Sequence, residues 1–559
     1  MHRSAWLLLL AVFWLLPAAA APRPNILLIL ADDLGFSDLG CYGSRIATPN
    51  LDRLAAGGLR GTQFYNAARC CPTRAALLTG LYPHQAGVGH MLGNLRPPSY
   101  TAGLGENTAT IAELLRDAGY RTYHVGKWHV GGLGGGAKAK ADPRNHPMNR
   151  GFDHAYGGGG GGNYFAFSGL YLDREPVAPG TNFYATDAFT DYAVKFLAAH
   201  GRDAKEQPFF LHLCYTAPHF PLHAKPADIA KYRGQFAHGW DVERERRFAK
   251  QKELGLFPRA AQLPPRAPEA KPWAALTEAE RADWDLRMAI YAAMIDCMDQ
   301  GIGRVLDAVK QLGAEQNTLV VFLSDNGASA EFLDSWPNPG RGHKPGSEAG
   351  TRDSHKCLEV GWANAANTPF REHKMWNHEG GISTPFIASW PAGRVGRAPA
   401  DAVRSHRPTT AGALCDEPGH VIDLLPTFLE LAGATYPEKW KGHALTPLPG
   451  KSLVPALQGR SLGTRTLAWE HEGNRAVRVG DWKLVASFRS PWELYDLSGD
   501  RAELKNLAAQ QPAKVKELAA AWQAWADQVG VVPWEELPGA SYQPSASYQK
   551  KGEAVPAAK

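Results

Sequence analysis

Four short stretches of this chain bring together residue types that could share one piece of chemistry. Asp32-Asp33 and Asp325-Asn326 supply three carboxylates and a carboxamide, the hard oxygen donors that Ca²⁺ or Mg²⁺ takes. No histidine belongs to that set, so zinc suits it less well. Lys127 and His129 lie two residues apart, and His219 follows Ala217-Pro218, so groups able to hold an anion or move a proton are also at hand. Taken singly, each Asp or Asn reads equally well as a turn residue or a helix cap. What lifts the set above that reading is that every member follows or ends an apolar run.

A nucleophile is offered by the stretch from Asn66 to Gly80, which contains Cys70-Cys71-Pro72-Thr73-Arg74 and continues as Ala75-Ala76-Leu77-Leu78. Pro72 is tolerated in a first helical turn, and the residues after it are good helix formers. Cys70 then sits at a helix N-terminus, where unpaired N–H groups and the macrodipole favour negative charge. Arg74, four residues on, falls on the same face and can neutralise an anion there. Without the Pro-Thr-Arg that follows, Cys70-Cys71 would read as two ordinary thiols or a strained vicinal disulfide.

These residues need a scaffold, and the apolar pattern describes one. Asn25–Leu30 is apolar on both faces and reads as a buried strand. Thr110-x-x-Glu113 has the form of a capping box, and Ile111, Leu114, Leu115 and Ala118 make a helical face that stops at Gly119. Tyr120–Val130 and Pro208–Tyr215 read as further strands, and Met288–Leu312 as a helix feeding the strand Thr318–Leu323. This rhythm predicts an α/β fold, a large, mainly parallel sheet sandwiched by helices. Ligand sites in such sheets lie at the carboxyl ends of the strands. Asp32-Asp33, Lys127 with His129, His219 and Asp325-Asn326 all fall there, and Lys127 and His129 share a face if their strand stays extended.

The chain has 559 residues, 44% of them hydrophobic, enough for one large domain and a smaller one. Its 60 basic and 55 acidic residues form no long single-sign run, which argues against a nucleic-acid partner. Residues 1–21 read as a signal peptide: a basic start, an apolar run from Ala5 to Leu16, Pro17, then small residues. That run is shorter than the about 20 residues a membrane span needs, so the mature chain is expected to be secreted or periplasmic and not membrane-spanning. The seven cysteines are scattered through a large chain and read mostly as core thiols.

Cys-x-Pro-Ser/Thr-Arg is the formylglycine signature of the type I sulfatases, within the alkaline phosphatase superfamily, and the chain resembles them over nearly all of its mature length. The pattern runs in order: Ala31-Asp32-Asp33-Leu34-Gly35, Thr48-Pro49-Asn50, Cys70 to Arg74 with Leu78-Thr79-Gly80, Gly126-Lys127-Trp128-His129, Ala217-Pro218-His219, Ser324-Asp325-Asn326-Gly327 and Glu379-Gly380-Gly381. Arg371-Glu372-His373-Lys374 looks most like the arylsulfatases, and Glu493–Leu497 with Asn506–Ala508 looks like the family's C-terminal antiparallel sheet with a helix. The resemblance implies an alkaline-phosphatase-like catalytic domain over 22–455 and a C-terminal subdomain over 456–535, and the composition of 536–559 reads as a disordered tail.

It also implies a function, hydrolysis of a sulfate ester of an aryl alcohol or a carbohydrate, and a role for each residue. Asp32, Asp33, Asp325 and Asn326 would bind one Ca²⁺, with Mg²⁺ as the alternative, and Cys70, oxidised to formylglycine by a maturation enzyme, would complete the shell. One hydroxyl of the formylglycine hydrate would attack sulfur, and loss of a proton from the second to His129 would release sulfate. Arg74 and Lys127 would stabilise the hydrate and the sulfuryl oxygens, while Lys374 and His219 would hold the sulfate, one of them protonating the leaving oxygen. Cys71 departs from the small residue usual at that position. The tracts Gly131–Gly136 and Gly157–Gly162 lack a phosphate-loop pattern and read as flexible rim loops. The insertion 328–369 reads as a specificity loop or a disordered one, and His471 and Asn474 are candidates to reach the pocket. The alternatives are a phosphonate monoester or phosphodiester hydrolase of the same superfamily and a catalytically inactive sulfated-glycan-binding protein; a two-zinc phosphatase is disfavoured because Asn326, and not a histidine, follows Asp325.

Overall fold

The computed structural model describes residues 23–133, 143–332, 344–396, 406–409, 412–538 and 540. The expected signal peptide, and most of the expected tail, lie outside the described residues. Leu537, inside the range expected for the tail, is buried behind a short turn of helix at Trp534–Glu536.

The sheet is built around Asn25–Asp32, whose side chains alternate between two cores. Leu27, Ile29 and Ala31 pack with the long helix Glu278–Gln311 and the helix Ala185–Asp203 on one face. Ile26, Leu28 and Leu30 pack with Cys70–Thr79, Ile111–Asp117 and Leu424–Ala432 on the other. A strand covered on both faces has no polar side to offer, which is why it is apolar at every position from 26 to 31. Each leucine or isoleucine withdrawn from water there contributes about 1.5–3 kcal/mol.

Five strands at the centre run parallel, in the order Thr318–Ser324, Asn25–Asp32, Phe209–Pro218, Arg121–Lys127 and His154–Gly158. Ser383–Ser389 enters antiparallel beside Thr318–Ser324 and pairs in turn with Leu59–Tyr65. The expected large mixed, mainly parallel sheet is therefore present. Register aligns its carboxyl ends: Ala31 opposes Ser324, Asp32 opposes Pro218, and Gly126 opposes Cys214. One step beyond each pair stand Asp33, Asp325, His219 and Lys127, brought to one edge by strand pairing alone.

A second, four-stranded antiparallel sheet follows, formed by Thr466–His471, Asn474–Val479, Trp482–Ala486 and Glu493–Asp496. The helix Pro512–Val529 lies on it, and the Trp522 indole donates to the Trp469 carbonyl at 3.0 Å. This small sheet is fastened to the large one by buried charge. Lys483 Nζ sits 2.9 Å from Glu379 Oε1 and 2.8 Å from Glu503 Oε1, and Arg501 reaches Glu379 Oε2 at 3.0 Å.

Two loop expectations change. Within the insertion 328–369, residues 333–343 lie outside those described, but Glu359–Ala366 is a helix whose Trp362 packs edge-on against Trp240. The paired indoles bury enough apolar surface to order this part of the insertion. The tract Gly157–Gly162 is likewise not simply a rim: Gly157 and Gly158 close a sheet strand, and Gly160 and Gly161 run beside the rings of His129 and His219. Of the other tract, residues 134–136 lie outside the described residues. Among the described residues, no helix is long and apolar enough to cross a membrane.

Candidate active site

Asp32, Asp33, Asp325 and Asn326 meet at the carboxyl edge of the sheet, each almost completely buried. Asp32 Oδ2 accepts from Lys127 Nζ, and Arg74 bridges to the neighbouring strand, donating from Nε to Asp325 Oδ2 at 2.9 Å with its other nitrogen 3.8 Å from Asp32 Oδ2. Asn326 Nδ2 donates to Asp33 Oδ1 at 2.6 Å. What remains is a set of acceptors: Asp32 Oδ1, Asp325 Oδ1 and Asn326 Oδ1 are all buried without a hydrogen-bond partner. An unpaired buried oxygen costs about 1–3 kcal/mol, so three in one place call for a group that oxygen lone pairs can bind. An all-oxygen donor set with net negative charge fits a hard dication, and these residues could hold one.

The electrostatics agree. Burial, and then the charge of Asp32, push Asp325 well above the ordinary carboxylate range. Burial also acts to raise Asp32, but Lys127, His219 and Arg74 outweigh it and hold Asp32 at about 2. Two carboxylates that cannot comfortably ionise together are relieved by a cation between them.

The helix of the candidate nucleophile runs Cys70–Thr79 and starts, as expected, at Cys70, with Arg69 in extended conformation before it. Arg74 is fully buried, and besides its carboxylates it donates to the Lys127 carbonyl at 2.7 Å. One helical turn thus ties Cys70 to two strand ends. The sulfurs of Cys70 and Cys71 and a ring nitrogen of His129 all lie within 4.8 Å of one another. A hydrogen bond from Cys71 lowers the Cys70 thiol well below its ordinary range; burial opposes this, and Lys127 and His129 add to it. Cys71, buried beside it, is pushed well above its own. All seven cysteines are buried free thiols.

His129 arrives by a different route from the one its spacing suggests. The strand ends at Lys127, and His129 has φ of 59°, so a left-handed turn and not strand alternation brings its ring to Cys70. Burial, then Lys127, lower His129 to about 4, so it is neutral and able to accept a proton near pH 7. Its Nδ1 is buried without a hydrogen-bond partner.

On the opposite side, Lys374 Nζ lies 2.8 Å from Asp33 Oδ1, and His219 Nε2 lies 3.6 Å from Asp33 Oδ2. All six candidate side chains, Cys70, Arg74, Lys127, His129, His219 and Lys374, therefore surround one carboxylate cluster. Sequence reasoning missed the pairs that extend this ring. Lys374 also contacts Glu331 Oε2 at 3.2 Å, Arg69 joins Glu331 at 3.5 Å to Glu472 at 2.9 Å, and charge alternates from Asp33 to the C-terminal sheet. Arg69 precedes the nucleophile, which was a usable signal, but Glu331 opens an insertion and Glu472 sits in a hairpin turn, and neither position is marked by its neighbours. Asn474 does not enter the pocket: its Nδ2 donates to the His471 carbonyl and its Oδ1 accepts from the Phe488 amide, closing its own hairpin. His471 has no exposed surface.

Known proteins give this geometry a context. The sulfatase family model matches residues 24–434, and a model of the C-terminal part of N-sulphoglucosamine sulphohydrolase matches 372–524. An uncharacterized sulfatase of Schizosaccharomyces pombe is 35% identical over 92% of this chain and 95% of its own length. The arylsulfatase of Klebsiella aerogenes is 34% identical over 78% of this chain and 92% of its own. Among solved structures, Ps i-CgsB in complex with a neocarrahexaose superposes with a TM-score of 0.62 at 27% identity, covering 90% of this chain and 93% of that one. With the Cys70 helix, carboxylates and cationic side chains gathered at one sheet edge, and a family match across most of its length, the chain belongs to the sulfatase family, the type I sulfatases of the alkaline phosphatase superfamily, and is a sulfuric ester hydrolase.

Proposed function

We propose that the chain hydrolyses the sulfate ester of an aryl alcohol or a carbohydrate, using Cys70 after its oxidation to formylglycine and one divalent cation. The observation that carries this reading is the trio of buried, partnerless oxygens, Asp32 Oδ1, Asp325 Oδ1 and Asn326 Oδ1, beside the nucleophile helix. Ca²⁺, or Mg²⁺ as the alternative, would be held by Asp32, Asp33, Asp325, Asn326 and residue 70. When bound, the ion supplies Lewis acidity toward a hydroxyl and a sulfuryl oxygen, and the formylglycine hydrate supplies two geminal hydroxyls, one to attack and one to release the product.

The chain's own residues do the rest. Arg74 fixes Asp32 and Asp325 relative to the helix that carries residue 70. Lys127, charged and buried against Asp32, offsets negative charge that develops on the transferred group. His129, neutral and with a free ring nitrogen, takes the proton from residue 70. Lys374 and His219 hold the sulfuryl oxygens from the Asp33 side, and one of them protonates the departing alcohol oxygen. The family's named members act on aryl, steryl and N-acetylgalactosamine sulfates, which supports a substrate drawn from these classes. A formylglycine-generating enzyme is the partner this chemistry requires, and export to the periplasm or medium is the compartment the N-terminal residues suggest.

The test compares release of sulfate, phosphate and phosphonate from matched aryl esters, using protein co-expressed with a formylglycine-generating enzyme. Dominant sulfate release that disappears in Cys70→Ala is the expected result. Dominant phosphoryl or phosphonyl release would favour the related ester hydrolase, and no turnover of any ester would favour a binding protein.

A further inference from the structure

The hairpin turn of the C-terminal sheet carries a second group of ligand-type side chains that the hydrolytic reading does not use. His471 and Glu472 come from this turn, and His90 from the loop after the nucleophile helix. His90 Nδ1 lies 3.5 Å from Glu472 Oε1, His471 Nε2 lies 3.7 Å from the same oxygen, and the two rings stack with centroids 5.7 Å apart. All three donor atoms fall within 4.8 Å of one another. None of these approaches is a hydrogen bond: His90 Nδ1 and both ring nitrogens of His471 are buried without a partner, although His471 is 0% exposed. A fully buried imidazole with neither nitrogen satisfied forfeits the hydrogen bonds it makes in water, a loss that a ligand in its plane would offset.

The spacing suits an ion. Bonds of about 2.0–2.1 Å to a tetrahedral centre place the ligand atoms roughly 3.4 Å apart. Two imidazoles and one carboxylate form a borderline donor set, different in kind from the all-oxygen set around Asp32. Burial, then the nearby Arg69, lower His90 to about 3 and His471 well below its ordinary value, so both rings are neutral, the form that binds metals. Arg69 also lies 2.9 Å from this same Glu472 Oε1, but each carboxylate oxygen offers two lone-pair sites, and the charge of Arg69 is shared with Glu331. An ion seated between the three atoms has the partly exposed His90 as its way in.

We infer that His90, His471 and Glu472 form a second metal site that takes Zn²⁺ through three protein ligands, a donor number that leaves a fourth position to water. The full chain, tag-free and in Cys70→Ala/Cys71→Ala form so that no active-site thiol binds zinc, is dialysed against Zn²⁺ in excess Ca²⁺ and its metal content measured. Co²⁺ is then used in place of Zn²⁺ to read the visible absorption of a tetrahedral ion. One Zn²⁺ per chain and tetrahedral Co²⁺ bands are expected, with affinity at least tenfold weaker in His90→Ala and in Glu472→Gln but unchanged in Asp325→Ala. His90 is partly exposed, so a circular dichroism melt is expected to show its variant folded. No stoichiometric zinc, or zinc held equally well by both variants, would overturn the site. The inference rests on this geometry and not on the proposed reaction, so either can fail alone.

Discussion

Around Cys70 three buried carboxylates, Asp32, Asp33 and Asp325, meet three buried cations, Arg74, Lys127 and Lys374, and the balance is local and tense. Asp325 is pushed up by burial and by Asp32 because the cations do not fully compensate on its side. A dication added there should stabilise the fold as well as enable the reaction. Treatment with EDTA is expected to lower the melting temperature and remove activity together, and Ca²⁺ to restore both, with about 2.7 kcal/mol of stabilisation at a hundredfold excess over Kd. Loss of activity with no change in melting would argue that the oxygens hold no ion. Lys374→Ala removes a donor from the sulfate side, and kcat on an aryl sulfate is expected to fall by about 10²–10³. A drop of less than tenfold would remove Lys374 from the anion site.

At the scale of elements, parallel pairing does the positioning, so faults in the strands should appear in the chemistry. Gly126 has φ of 106°, and a Cβ there would overlap the Cys214 carbonyl on the adjacent strand. Gly126→Ala is expected to cost about 2–4 kcal/mol in urea unfolding and to lower kcat by displacing Lys127. Unchanged values for both would mean that the strand can yield without moving the lysine. Much of this frame was legible beforehand, for physical reasons. Residues 26–31 of Asn25–Asp32 are apolar throughout because both faces of the strand are covered, and Thr110 does cap its helix reciprocally with Glu113. The long helix was read too short, since it begins at Glu278 behind a Thr277–Glu280 capping box, in turns too polar to show periodicity. The turn at His129, the order in Glu359–Ala366 and the Arg69–Glu331–Glu472 chain were not legible, because each depends on contacts between segments far apart in sequence.

Across the whole molecule, the two sheets are joined at a buried knot of Glu379, Lys483, Arg501 and Glu503. Removing its central cation by Lys483→Ala takes the ion-pair partner from Glu503 and leaves Glu379 to Arg501, and is expected to cost about 3–5 kcal/mol, read from urea unfolding. The knot also sets an acid limit. Burial alone would raise Glu379, but Lys483, Arg501 and Arg478 outweigh it and hold it at about 2 against an ordinary 4.5. A depressed carboxylate stabilises fully above its unfolded value, so this contribution is complete above pH 4.5 and is lost as pH falls through about 2. Glu379→Gln is expected to flatten the melting profile in that window; a profile of unchanged slope would place the acid sensitivity elsewhere. The most direct test of the proposed chemistry joins residue 70 to turnover: the fraction of chains carrying an aldehyde at position 70, from peptide mass spectrometry, measured against the rate of sulfate release across preparations with and without the maturation enzyme. The rate should rise in proportion to the aldehyde fraction and vanish in Cys70→Ala, whereas sulfate release that persists without the aldehyde would contradict the proposed role of Cys70.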